Sequence, residues 1–265
     1  MRFAQVFWSP SQLRILLDTL ISILPSSCAV CGLRAHKVLC DPCHQQFFQQ
    51  PPTRCRCCAL PLMSATSLPN TATTTPTAQI CGACLAQPPA FDHTLAASDY
   101  EAPVDQLVLA LKFGGRLALA PLFGELLRDT LLSSRADGEL SQSLPTRLIP
   151  VPLSALRLQQ RGFNQSLEIA RTLGHQLGVR VLPASMERVR DTRPQAELPL
   201  SARQQNVRHA FIVRADAESH IAGQHIGVVD DVMTTGETLQ EIAVTLKRFG
   251  ATRVTNFVFA RTLLK

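Results

Sequence analysis

Aromatic residues are scarce in this chain: one Trp, one Tyr and 12 Phe among 265 residues. Any stacking against nucleic-acid bases would therefore rest mainly on Phe. Cysteine is missing after Cys84, although nine cysteines occur up to that point, so thiolate chemistry is confined to the N-terminal third. Long apolar runs are missing too. The best candidate, residues 13–24, is interrupted by Asp18 and at twelve residues is too short to span a bilayer. Its apolar positions at 13, 16, 17, 20, 21 and 24 follow helical spacing. Pro25 sits three residues before Cys28, which spoils a lipoprotein cleavage context. The segment is read as a short amphipathic helix that packs on the protein or a partner. With no membrane span, a cytoplasmic location is expected. There is no acidic excess: the formal charge is +6, with Arg well in excess of Lys. This balance suits a partner bearing phosphates, nucleic acid or a phosphorylated metabolite, and equally allows a basic protein with nothing bound. An apolar fraction of 46% is enough for a real core.

Eight of the nine cysteines form four pairs at one spacing: Cys28 with Cys31, Cys40 with Cys43, Cys55 with Cys58 and Cys81 with Cys84. An odd total and strict C-x2-C pairing argue for metal rather than disulfides. Four pairs supply two sets of four thiolates, each a tetrahedral zinc site. The sequential grouping is 28/31/40/43 and 55/58/81/84; an interleaved grouping is the alternative. Cys57 is left over. Zinc held by four thiolates has no open position, so its expected role is structural, replacing a core that so short a segment can barely supply. A nucleic-acid or protein contact surface with Arg34, Lys37, Arg54 and Arg56 is the sharper alternative.

Composition divides the chain into a helical lead at 1–24, a cysteine-rich module at 25–90 and a larger domain at 91–265. Within the module a Thr/Pro/Ser-rich stretch before Ile80 reads as a flexible loop. From Thr146 strands and helices alternate. Residues 147–151, 179–182, 225–229 and 253–260 read as strands, and 164–177 and 238–249 as amphipathic helices stopped by Gly178 and Gly250. This order implies an α/β fold, a parallel sheet with helices on both faces. Ligands of such folds sit beyond the C-terminal strand ends.

Chemistry concentrates at those ends. Val228 and Val229 are followed by Asp230 and Asp231, then by a small-residue turn, Thr234-Thr235-Gly236-Glu237-Thr238, opening a helix. Carboxylates can accept hydrogen bonds from sugar hydroxyls, and the turn with its helix N-terminus can hold a phosphate. The plain alternative is a strand–turn–helix capped by its own Asp and Thr. A second loop carries Arg157 and Arg161-Gly162-Phe163-Asn164-Gln165-Ser166. Its arginines suit pyrophosphate oxygens, while Asn164 or Ser166 can serve only as a helix cap. Lys112, before Gly114-Gly115, can reach a phosphate or simply complement a helix C-terminus. The polar, arginine-rich stretch at 188–208, with Thr192, Gln195, Arg203 and Asn206, reads as a mobile lid or a solvated loop.

The acidic pair with Thr-Thr-Gly resembles the phosphoribosyl pyrophosphate (PRPP) motif of type I phosphoribosyltransferases. Together with the RGFNQ block at 161–165 and the four cysteine pairs, it makes the chain resemble the ComF/GntX-type family of competence-associated proteins. Those pair a cysteine-rich zinc module with a type I phosphoribosyltransferase domain. The resemblance implies that Asp230 and Asp231 hold ribose hydroxyls. It implies that Thr234, Thr235, Gly236 and Thr238 cradle the 5′-phosphate, with Val229 and Glu237 flanking them. Arg161, Arg157 and Lys112 would face the pyrophosphate, and Mg²⁺ would accompany PRPP. Asp230, Asp231 and Arg161 are the expected catalytic residues if transfer occurs. Three functions follow from it. One is a DNA-uptake or DNA-utilisation factor engaging single-stranded DNA or a helicase-like competence protein. The second is an active transferase with an unidentified acceptor, and the third a PRPP or nucleotide sensor without turnover.

Overall fold

The computed structural model describes residues 26–49, 53–62, 79–136, 144–189 and 209–263. The expected helix at 13–24, the Thr/Pro-rich loop after Leu62 and most of the arginine-rich stretch, from 190 to 208, lie outside the described residues. The chain divides into two compact units, Met1–Gln49 and Gln50–Lys265.

In the first unit, β1 (Ser26–Ser27) pairs antiparallel with β2 (Arg34–Ala35) around the first cysteine turn. Helix α1 (Asp41–Phe48) follows, starting after Cys40 with an acidic first turn and Pro in the opening position, both suited to a helix N-terminus.

The second unit opens on a similar turn. Arg54 bridges Pro61, and the short helix α2 (Gly82–Ala86) starts after Cys81. Then come β3 (His93–Asp99), α3 (Val104–Phe113), α4 (Leu119–Ala136), β4 (Arg147–Pro150), α5 (Ala155–Arg161), α6 (Gln165–Leu177), β5 (Arg180–Val181), β6 (Met186–Arg188), β7 (Phe211–Val213), β8 (His225–Met233), α7 (Glu237–Arg248) and β9 (Arg253–Arg261). Five strands form one parallel sheet in the order β3-β9-β8-β4-β5. Strands β6 and β7 make a separate antiparallel ribbon.

Helices α4 and α6 pack together and on one face of the sheet, where Phe123 stacks on Phe259 with centroids 3.5 Å apart. Helix α7 covers the other face with Leu239, Ile242, Ala243 and Leu246, packed in one core with Ile226, Val228, Val254 and Val258. Strands buried on both faces read as near-continuous apolar runs, and β9 is buried from Val254 to Arg261. Each fully buried Leu, Ile or Phe contributes roughly 1.5–3 kcal/mol by leaving water.

The second cysteine turn closes one edge of this sheet. β3 is an outer strand, and its Thr94 N–H donates to the carbonyl of Arg56 at 3.0 Å. Arg54 Nη1 donates to Asp99 Oδ1 at 2.7 Å, joining the turn to the far end of the same strand.

Two local differences from the sequence reading shape the site. Strand β8 runs on to Met233, so Asp230 and Asp231 lie within it rather than beyond it. It extends because β9 is equally long and pairs with it as far as Val232↔Ala260 and Met233↔Arg261. Arg157 and Arg161 stand on helix α5, not on an open loop. Ser154 caps that helix by accepting from the Arg157 N–H, and Gly162 ends it in the left-handed conformation.

Candidate functional site

Successive strand residues point to opposite sides, and the two carboxylates at the end of β8 meet different partners. Asp230 is 9% exposed and Asp231 3%. Ser166 Oγ donates to Asp230 Oδ1 at 2.9 Å, and the Asp231 backbone N–H donates to the same oxygen at 2.9 Å. Lys112 Nζ, in the last turn of α3, lies 2.8 Å from Asp231 Oδ2. That contact is a charge pairing rather than an aligned hydrogen bond, for Oδ2 has no hydrogen-bond partner. Burial, reinforced by the charge of Asp231, pushes the Asp230 carboxyl up to about 7; Lys112 and the Ser166 bond pull the other way. The pair thus shares its negative charge sparingly, and cations aimed at it relieve the repulsion.

Arg161 supplies a further cation. Its Nη1 donates a short bond to Gln165 Oε1, and its guanidinium lies 5.3 Å from the centroid of the exposed Phe113 ring. Burial draws Arg161 down, Asp231 and Asp230 draw it back up, and Arg157 opposes them. An arginine keeps its charge through such a shift. Arg157, one turn earlier on α5, lies close enough to Arg161 for the two charges to oppose each other, while of the expected trio Lys112 and Arg161 are the two that interact with the acidic pair. Arg116 is exposed beyond the end of α3.

The turn between β8 and α7 contains Thr234, Thr235 and Gly236, with Glu237 and Thr238 in the helix's first turn. Gly236 has φ +89°, and a Cβ there would sit 2.6 Å from Met233 Cε. The positive φ is the demand that favours glycine, since the Met233 methyl is a flexible side-chain end that could move aside. As N-cap it brings no side chain to cap α7, so the helix start relies on other groups to meet its first N–H donors. Thr235 Oγ1 is buried with no hydrogen-bond partner. Val229 is fully buried beneath the pair, in register with Pro150 and Phe257.

Several contributors were not read as such from the sequence. Asn164 was weighed as a cap, and it does cap α6: its Oδ1 accepts from the N–H groups of Ser166 and Leu167 at 3.0 and 3.4 Å. Its Nδ2 also donates to the Val151 carbonyl at 3.0 Å, tying α6 to the end of β4. Ser166, the other candidate cap, holds Asp230 instead. Gln165 orients Arg161. Arg261, at the end of β9, is 1% exposed and had no sequence signal beyond its position in an apolar strand. Its Nε donates to the Cys58 carbonyl at 2.8 Å, and its Nη1 faces the carbonyls of Met233 and Thr262 at 3.2 and 2.7 Å, and that of Thr234.

The cysteines gather in two quartets, Cys28/Cys31/Cys40/Cys43 and Cys55/Cys58/Cys81/Cys84, the sulfurs of each lying within 4.8 Å of one another. Cys31 and Cys40 sulfurs are 3.8 Å apart, and those of Cys58 and Cys81 3.6 Å. Zinc bonded to four sulfurs at about 2.3 Å sets them about 3.8 Å apart, whereas a disulfide needs about 2.05 Å. Backbone N–H groups support the thiolates: Cys40 donates to Cys28 Sγ at 3.4 Å and Cys81 to Cys55 Sγ at 3.3 Å. The neighbouring Cys58 thiol, together with such donors, brings Cys55 down to about 4. Each quartet could hold one metal ion in the manner of a zinc ribbon. Cys57 belongs to neither.

Among the described residues no helix is long and apolar enough to cross a membrane.

Comparison with known proteins adds a lineage. The phosphoribosyl transferase domain family matches residues 138–263. The DNA utilization protein YhgH of Salmonella typhimurium is 35% identical over 243 residues, covering 91% of this chain and 99% of that protein. Competence protein F of Haemophilus influenzae is 32% identical over 184 residues, covering 69% of this chain and 79% of that protein. A purine phosphoribosyltransferase from Pyrococcus horikoshii superposes with a TM-score of 0.28 at 14% identity, over 65% of this chain and 89% of that one.

Proposed function

This chain belongs to the family of the DNA utilization protein YhgH and competence protein F, and from that premise we propose that it binds PRPP, or a ligand of that shape, as part of DNA uptake or utilisation. One observation carries the reading: a buried pair, Asp230 and Asp231, stands beside the Thr234-Thr235-Gly236 turn and is faced by Lys112 and Arg161.

In this reading the carboxylates accept from ribose hydroxyls. The turn and the first turn of α7, through Thr234, Thr235, Gly236, Glu237 and Thr238, take the 5′-phosphate. Lys112, Arg157 and Arg161 meet the pyrophosphate, Arg161 with its fork oriented by Gln165. Oxygen donors of this kind suit Mg²⁺, which takes one or two carboxylates with substrate phosphates and neutralises charge there. When ligand arrives, Lys112 exchanges Asp231 for phosphate oxygens and leaves the acid free for the sugar. The DNA-facing role falls to the cysteine module and the arginine-rich stretch at 188–208, which would engage single-stranded DNA or a helicase-like partner.

Calorimetry with PRPP and Mg²⁺ tests the ligand. Wild type should bind, and Asp231→Asn should bind about 10- to 100-fold more weakly, the cost of one charged hydrogen-bond acceptor. Equal affinity in the two proteins would remove the site from consideration. Single-stranded DNA binding should weaken steeply between low and physiological salt; salt-insensitive binding, or none, sinks the DNA-facing part alone.

Transfer of the phosphoribosyl group to an acceptor is the second reading. It is favoured by Asp230, whose carboxyl at about 7 would accept a proton near neutrality. Pyrophosphate release from PRPP in the presence of an acceptor pool, lost in Asp230→Asn, is its signature.

A further inference from the structure

Arg261 ends β9 and is the largest fully buried side chain among the described residues. Burying a guanidinium is costly unless its protons are met and its charge is balanced. Partners reach this guanidinium from two different places. On one side Nε donates to the Cys58 carbonyl at 2.8 Å; burial draws Arg261 down, and the charges of Cys58 and Cys84 partly offset it. On the other side Nη1 faces the carbonyls of Met233, at 3.2 Å, and Thr234. Cys58 is a member of the second quartet. Met233 and Thr234 open the turn that leads to Thr235 and Gly236.

We propose that Arg261 is a positioning residue that couples metal occupancy of the Cys55/Cys58/Cys81/Cys84 quartet to the phosphate-facing turn after β8. The inference rests on the reading of that turn as the PRPP phosphate site. The guanidinium is planar and rigid, so its two ends move together. A metal on Cys58 fixes the carbonyl that Nε grips. Four thiolates around a zinc dication also leave excess negative charge, which balances the buried cation. With the metal in place, the fork holds the Met233 and Thr234 carbonyls and so sets where the turn begins. The Met233 side chain lies over Gly236, in the space a Cβ would need. Without the metal, the Cys58 carbonyl and the balancing charge both relax, and the turn loses its anchor. The first quartet has no such link among the described contacts of its unit.

Coupling of this kind is reciprocal: a ligand that favours the ordered turn must tighten the metal. The test follows zinc release from the full-length, metal-loaded protein to a chromogenic chelator, with and without saturating PRPP and Mg²⁺. Cys31→Ser, which dismantles the first quartet at its exposed thiol, identifies the phase belonging to the second. PRPP should slow that phase about fivefold or more and leave the first unchanged. In Arg261→Lys, which keeps the charge and loses the fork, the protection should disappear and PRPP binding by calorimetry should remain measurable but weaken by about the same factor, while zinc content persists. The inference is overturned if wild type binds PRPP and the second phase does not slow, or if Arg261→Lys keeps full protection. A wild type that does not bind PRPP at all overturns the proposed function, and this coupling with it; calorimetry tells the two failures apart.

Discussion

The two cysteine quartets are built alike and seated differently. In each, a short antiparallel bridge flanks the first pair, Ser27 opposite Arg34 in one and Arg54 opposite Pro61 in the other. Counted from the first cysteine of each quartet, these bridge positions are equivalent. The residue after the first pair takes a left-handed conformation in both, Gly32 at φ +72° and Ala59 at φ +56°. The second pair starts a helix, with Cys40 and Cys81 as N-caps. The repeat ends at the surroundings. Two thiols of each quartet are buried, but Cys31 is exposed where its counterpart Cys58 is buried, and Ala59, next to Cys58, is fully buried. The second quartet is also held by Arg54 to Asp99, by Thr94 to Arg56 and by Arg261. One ribbon is a small body of its own; the other has become part of the sheet's wall. The same four-thiolate device can thus stabilise a segment that lacks a core, or finish one that has it.

Calorimetric melting separates these roles. The largest effect should follow Cys58→Ser, which takes one thiol from the quartet packed into the core of the sheet-bearing unit. The main transition should fall by about 10 °C or more, as expected for a loss of several kcal/mol in a unit of this size. Cys31→Ser should move that transition by less than about 2 °C. Equal shifts would erase the distinction between the quartets.

Next comes Asp230→Asn, which confines a pH response to the sheet-bearing unit. The Asp230 carboxyl is raised from 3.8 to about 7 when folded. A raised carboxyl binds its proton more tightly in the folded state, so wild type loses stability as pH climbs from about 4 to about 7. Asn does not titrate. The variant's advantage should open over that window and reach about 5 °C at pH 8; a gap that shrinks with rising pH would contradict it.

Arg54→Ala should cost about 3 °C in the same transition, because the pair with Asp99 is mostly buried. The smallest effect belongs to Lys37→Gln in the first unit. Its partner Asp41 and Lys37 itself are about three-quarters exposed, and the melting curve should move by less than about 1 °C.

Much of the sheet was legible because parallel strands buried on both faces and amphipathic helices leave strong patterns. The helix expected over 164–177 forms over Gln165–Leu177, capped by Asn164 and stopped by Gly178, as the cap and stop residues signalled. The helix expected over 238–249 is displaced by one residue at each end. Helix α5 escaped notice because its seven residues are too few to show a period and none is buried. Strand β8 was read short because two acids ordinarily end an apolar strand; here its length is set by pairing with β9, a tertiary fact.

The gathering of Asp230, Asp231, Lys112 and Arg161 could be anticipated from residue chemistry. Which side chain holds which could not. Ser166 on Asp230 and Gln165 on Arg161 depend on the angle at which α6 leaves the sheet. Arg261 is the clearest case: an arginine at a strand end gives no hint that its partners are 203 and 28 residues away.

The bond from Thr94 to Arg56 has a consequence outside ligand binding. An outer strand with unpaired backbone groups is a template for another chain, and here the second cysteine turn lies against that strand. A metal held by this quartet would stiffen the turn and so guard the sheet's open side. Without a metal there, the expected first consequence is edge-to-edge pairing with other copies of the chain, ahead of any effect on ligand binding.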